Sequence, residues 1–158
     1  MHLIRLRGPW EYQVLARFGR DETENIRQDA SELPAGSVRM PSDWGETLGN
    51  DFRGRVRYGR RFNCPTGLDK GQVVYVCLAA VDCFGEVSLN GTTLGRVGGD
   101  RPNQRFHVTG LLQSTNELSV VVELPHDDPN SDPLPRPAGR EDLPGGLIGD
   151  VRLEIEER

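Results

Sequence analysis

The chain has 158 residues, 35% hydrophobic and 27% charged, with a formal net charge of −5 from 19 basic and 24 acidic side chains. A chain of this length buries roughly 68–70% of the surface it exposes when unfolded, which suits one globular domain over 1-158 and argues against disorder. There is no run of 18 apolar residues, so no membrane partner is expected. The acidic balance argues against nucleic acid, whose binders carry a basic patch or stripe.

The first ten residues carry Arg5 and Arg7 where a signal peptide has its apolar stretch, so a cytoplasmic location is expected. Apolar residues then come in short alternating or β-branched runs separated by Gly, Pro, Asn and Asp, the pattern of an all-β sandwich or barrel. Strands are expected at 2–7 and 10–18. Residues 23–33 carry the one helical signal, capped by Asp21 or Thr23 and ended by Pro34. Further strands are expected at 37–40 and 55–63.

The second of these lies in an arginine-rich run, Phe52-Arg-Gly-Arg-Val-Arg-Tyr-Gly-Arg-Arg-Phe62. Side chains alternate across a strand, so Arg53, Arg55 and Arg57 share one face, with Phe52, Val56 and Tyr58 near or on the other. That arginine face reads either as a solvated surface paired with acids or as a polyanion site.

Residues 72–81 form the next strand. Its run Val73-Val-Tyr-Val-Cys-Leu-Ala-Ala-Val81 is apolar at both parities, as in a strand covered on both sides and interior to its sheet. Strands at 86–89 and 92–97 meet at Asn90-Gly91, the strongest short signal for a two-residue type I′ turn, in which both central residues take φ > 0. Strands at 105–108, 117–124 and 148–156 complete a set of ten. So many short strands in one domain fit a jelly-roll β-sandwich. Residues 125–146 hold six of the 11 prolines and read as a long surface excursion. Cys64, Cys77 and Cys83 are odd in number and lack metal spacing, which argues against a disulfide framework or a zinc site.

Several motifs, taken in order, resemble one family. Pro41-Ser-Asp-Trp44 is similar to its P-x-x-W, and Phe52 to Phe62 to its f-x-G-x-v-x-Y-x-R-x-F strand. The V-x-x-N-G-x-x-x-G form at Val87 to Gly95 follows. Gly98-Gly99, Phe106-His-Val-Thr-Gly-Leu-Leu112, Asn116-Glu-Leu-Ser-Val120 and Gly145-Gly-Leu-Ile-Gly-Asp-Val-Arg-Leu153 match later segments. Together they resemble the sugar-binding, galactose-binding-domain-like jelly roll at the front of family 2 glycoside hydrolases, the β-galactosidases, β-glucuronidases and β-mannosidases. His107 stands where the family often has Asp, and Ile148-Gly149 where it usually has an aromatic residue or Arg. The resemblance implies a carbohydrate-metabolism setting and a non-catalytic module, because the family's chemistry belongs to a separate (β/α)₈ barrel of about 250 residues. Glu117 looks like the acid of the barrel's N-E pair but falls at a strand start and reads as a surface residue. No catalytic residue is assigned.

Sugar recognition calls for exposed aromatic faces beside amides, carboxylates and guanidinium groups. Trp10, at a strand start after Gly8-Pro9, and Trp44, in a motif that also reads as structural packing, are the candidate platforms, with a core role as the alternative for each. The loop Gly98-Gly-Asp-Arg-Pro-Asn-Gln104 supplies Asp100, Arg101, Asn103 and Gln104, and Asp82 stands just past a strand. Asp128-Pro-Asn-Ser-Asp132 opens like a calcium loop, but Pro133 and Gly139 occupy the positions of its turn Gly and bidentate Glu. No metal or other cofactor is therefore expected. The expected partner is a carbohydrate; the alternative is a docking or oligomerisation module, whose partner is another protein or a second copy of the chain.

Overall fold

A computed structural model of the chain describes residues 1–18, 33–126 and 135–157. Among these, the strands are β1 (His2–Arg5), β2 (Trp10–Arg17), β3 (Ala35–Val38), β4 (Ser42–Asp43), β5 (Gly54–Asn63) and β6 (Gln72–Leu78). They continue with β7 (Phe84–Leu89), β8 (Thr92–Gly98), β9 (Gln104–His107), β10 (Thr115–Leu124), β11 (Gly146–Leu147) and β12 (Val151–Glu157). One sheet has the order β1-β12-β6-β9, the other β3-β2-β5-β10-β7-β8, while β4 and β11 form a separate pair. All these pairings are antiparallel, and the result is the jelly-roll sandwich expected from the strand pattern.

Period-2 patterning explains how the sheets meet. Along β10, Leu118, Val120, Val122 and Leu124 are buried, while Glu117, Ser119, Val121 and Glu123 take the outer parity. The inward residues of β6 and β12, among them Val74, Val76, Leu78, Leu153 and Ile155, join them in one continuous core. β6 lies between β12 and β9, the interior position its doubly apolar run implies. It stops at Leu78, earlier than expected.

The turn at Asn90-Gly91 takes the left-handed backbone at both residues, with φ of 51° and 83°, and pairs Leu89 with Thr92. Asn90 does more than turn. Its Nδ2 donates to the carbonyl of Leu111 (3.1 Å) and to Oδ1 of Asn116 (2.9 Å), and its Oδ1 accepts from the Glu117 N–H (2.8 Å). Asn116 is itself buried and accepts from the Gln113 N–H, so the hairpin tip is tied to the start of β10.

Small elements too short to show a period were not anticipated: a one-turn helix α1 (Gly45–Leu48), a 3-10 turn at Thr109–Leu111 and the β4–β11 pair. The helix expected at 23–33 falls almost wholly outside the described residues, as does the Asp128 to Asp132 motif. The three cysteines form no disulfide, and Cys77 and Cys83 are buried. Among the described residues no helix is long and apolar enough to cross a membrane.

Candidate functional site

The outer face of the six-stranded sheet carries a trough, and register explains it. Glu11 on β2 lies opposite Gly59 on β5, Gly59 opposite Ser119 on β10, and Ser119 opposite Ser88 on β7. Three adjacent strands thus place small side chains in one row. Two residues away on one side runs the row Gln13, Arg57, Val121 and Glu86; on the other side Arg61 lies opposite Glu117. Because same-face residues recur every second position, Arg57, Gly59 and Arg61 share the outer face, with the two arginine Cα atoms about 13 Å apart.

The trough opens into two adjoining grooves that share Arg57, Arg61 and Glu117. One, of about 630 Å³, reaches Asn90 and Gln113; the other, of about 880 Å³, reaches Tyr12, Gly36 and Arg60. A Cβ added at Gly59 would meet nothing nearer than Glu117 Oε1 at 3.9 Å, ordinary van der Waals contact, so the floor has room for a side chain at this point. Charges are unevenly matched. Arg55 gives Glu123 Oε1 two hydrogen bonds, 3.0 Å from Nε and 2.7 Å from Nη2. Arg57 Nη2 stands 3.8 Å from Glu117 Oε1, too far for one. Arg60 donates to the Arg61 carbonyl, while its Nε is shielded from solvent and has no acceptor among the described residues. Behind the floor, on the core side, burial pushes the Tyr58 hydroxyl pKa up, with smaller contributions from Tyr12 and Asp43.

The residues singled out from the sequence lie elsewhere. Trp10 and Trp44 are both fully buried, which removes them as sugar platforms. Trp10 shares the inward parity of β2 with Val14 and Ala16, and its Nε1–H donates to the Leu6 carbonyl at 2.7 Å. Trp44 packs edge-on against Phe52, with ring centroids 5.2 Å apart. It fits there because residue 145 is glycine, where a Cβ would come within 2.8 Å of the indole.

Asp82 is fully buried and holds an ionic clamp rather than a ligand. Its Oδ1 accepts from Arg136 Nε (2.8 Å), and its Oδ2 from Arg136 Nη2 (2.7 Å) and Arg140 Nε (2.8 Å). The same guanidinium groups donate onward to the carbonyls of Glu141, Leu143 and Pro144. The described end of the excursion is thereby fastened to the sandwich. Neither arginine was singled out from the sequence.

In the Gly98 to Gln104 loop, Asp100, Arg101 and Asn103 are exposed. Gln104 Oε1 is occupied by the Gly98 N–H at 3.0 Å, and the Asn103 N–H bonds the Ala79 carbonyl at 3.0 Å. Gly99 abuts the Cys83 carbonyl, Pro135 and Pro137, so loop, clamp and excursion form one packed unit. That unit, with Trp44, sits near the Leu124 end of β10, whereas the trough crosses β10 at Ser119. The structure joins Trp44, Asp82 and the loop as packing, and leaves Trp10 apart. Of the trough residues, the sequence marked the arginine run but not Gly59, Ser88 or Ser119.

No family model and no curated protein matches the sequence. Solved structures do. The chain is similar to an FMN-binding β-glucuronidase from Facaelibacterium prausnitzii L2-6, with TM-score 0.72 and 26% identity, over 98% of this chain and 22% of that one. A Bifidobacterium dentium β-glucuronidase, solved with coumarin-3-O-glucuronide, gives 0.69 and 21% over 99% and 30%. A GH2 β-galacturonidase from Eisenbergiella tayi, bound to glycerol, gives 0.69 and 17% over 97% and 24%. The fold is that of one domain of these family 2 enzymes, as the motifs implied, and the chain spans less than a third of each.

Proposed function

We propose that this chain is a non-catalytic carbohydrate-binding module related to family 2 glycoside hydrolases, and that it holds its ligand in the trough on the outer sheet face. The observation that carries this reading is the row Gly59, Ser119 and Ser88, a floor of small residues between walls bearing Arg57, Arg61, Glu117 and Asn90. Sugar hydroxyls both donate and accept hydrogen bonds, and a mixed wall of guanidinium, carboxylate, amide and hydroxyl groups serves both directions. Glycosidases as structural neighbours support a saccharide setting.

The test is a glycan array with the purified chain, followed by calorimetry on any hit. A saturable hit that Gly59→Val abolishes supports the reading. A hit untouched by that substitution moves the site elsewhere, and silence across the array rejects carbohydrate binding.

A docking role is the second reading, favoured by the clamped excursion, which presents Leu143 to solvent next to Glu141 and Asp142. It expects self-association or capture of a defined partner domain that Leu143→Asp weakens. A monomer that binds no such domain rejects it.

A further inference from the structure

We infer that the trough takes an anionic saccharide, a sugar chain carrying carboxylate or sulfate groups; this deepens, and rests on, the reading of the trough as a saccharide site. Several arginines elsewhere on the sandwich are matched to carboxylates at close range, whereas among the described residues Arg7, Arg17, Arg39, Arg96 and Arg101 stand singly without one. Arg55 pairs with Glu123 at 2.7 Å, Arg105 with Glu156 at 3.0 Å, Arg152 with Glu154 at 2.9 Å, and Arg140 with Asp82 at 2.8 Å.

The groove by Tyr12 differs in gathering three arginines into one concavity. Arg57, Arg60 and Arg61 all line it, within five residues of one strand. Among the described residues, neither Arg60 nor Arg61 has a carboxylate at ion-pair distance, and the Glu117 of Arg57 stands at 3.8 Å. Arg60 adds a shielded Nε with no acceptor. On a chain of net charge −5, this groove sets three guanidinium groups against the two carboxylates of Glu11 and Glu117, a local excess of one positive charge. Each guanidinium offers a planar fork of N–H donors that matches the paired oxygens of a carboxylate or sulfate.

The rest of the groove favours sugar over nucleic acid. Glu11 and Glu117 stand in the same concavity, where a phosphate at every step of a nucleic acid would meet them at short range. A sugar chain presents hydroxyls to such carboxylates as well as anions to the arginines. One half-buried Tyr12 offers a single stacking surface, not the series of aromatic platforms that successive bases require.

Calorimetry on the full chain with two matched probe pairs tests this. The pairs are a polyuronate oligosaccharide with its carboxyl-reduced counterpart, and a sulfated galactan oligosaccharide with its desulfated parent. The expected result is binding of at least one anionic member, with its neutral counterpart tenfold weaker or more. The pair that responds tells carboxylate from sulfate. Arg60→Gln and Arg61→Gln each weaken that binding by about tenfold, as loss of a charge-assisted hydrogen bond does. Arg5→Gln, on the other sheet, leaves it unchanged. Circular dichroism melting establishes that each variant folds, and Gly59→Val, which blocks the floor and keeps every arginine, is the second probe of the site.

Equal binding of both members of a pair overturns the anionic inference and leaves the saccharide module standing. No binding to any of the four, with an array that is also silent, removes both. Binding of inorganic polyphosphate or a single-stranded oligonucleotide as tightly as the anionic glycan overturns the inference in favour of a general polyanion site.

Discussion

Two positions carry the clearest consequences of local environment, and they point in opposite directions. Gly59 lies on a strand with room for a side chain before it. A β-branched residue suits a strand better than glycine does, on a scale spanning about 1 kcal/mol. Gly59→Val is therefore expected to hold or raise the thermal midpoint while filling the trough and abolishing ligand binding. A variant that binds normally would detach the trough from function. Trp10 behaves the other way. Trp10→Phe leaves the buried Leu6 carbonyl without its donor and is expected to cost about 1–3 kcal/mol in urea unfolding. Ligand affinity of the folded variant stays within about twofold of the parent, because the ring has no solvent-facing surface. A selective loss of affinity with unchanged stability would return Trp10 to the binding site.

At the scale of elements, the excursion depends on the clamp. Asp82 lies 54 and 58 residues before the arginines that bind it, and all three groups are largely buried. Removing one partner of a buried ion pair leaves the other charge uncompensated, which typically costs about 3–5 kcal/mol. Asp82→Asn should lower the urea midpoint accordingly and open residues 135–146 to limited proteolysis. An unchanged midpoint and cleavage pattern would mean that the excursion is held by packing alone. The β7–β8 hairpin shows the contrasting case of an element whose turn is encoded locally in Asn90-Gly91 and whose tip is then tied down by remote Asn116.

For the whole molecule, burial makes folding sensitive to alkali. Tyr58 and Cys77 both have folded pKa values raised above their ordinary 10.0 and 9.0, burial being the largest cause in each case. The folded state keeps protons that the unfolded chain releases, so the contribution of these two groups is constant below about pH 9 and falls as pH rises beyond it. Melting curves between pH 8 and 11 should show this decline, and Tyr58→Phe should flatten the part above pH 10. A midpoint that holds steady across the range would contradict the burial of these two groups.

Much of the fold was legible because its signals are local. Alternation along residues 117–124, the doubly apolar run from Val73 and the Asn90-Gly91 turn each lie within a few residues, and the structure follows them. The burial of Trp10 is legible too, from its shared parity with Val14 and Ala16. By itself, then, the sequence determined the longer strands and the family resemblance, since a period of two and a turn dipeptide need no distant partner. Only the tertiary structure decided the trough and the clamp. Gly59 becomes a floor through its register against Ser119, 60 residues away, and Asp82 becomes a clamp through arginines beyond the following strands. Register and ion pairing between remote segments arise from strand pairing and burial across the whole sandwich, and no local pattern specifies them.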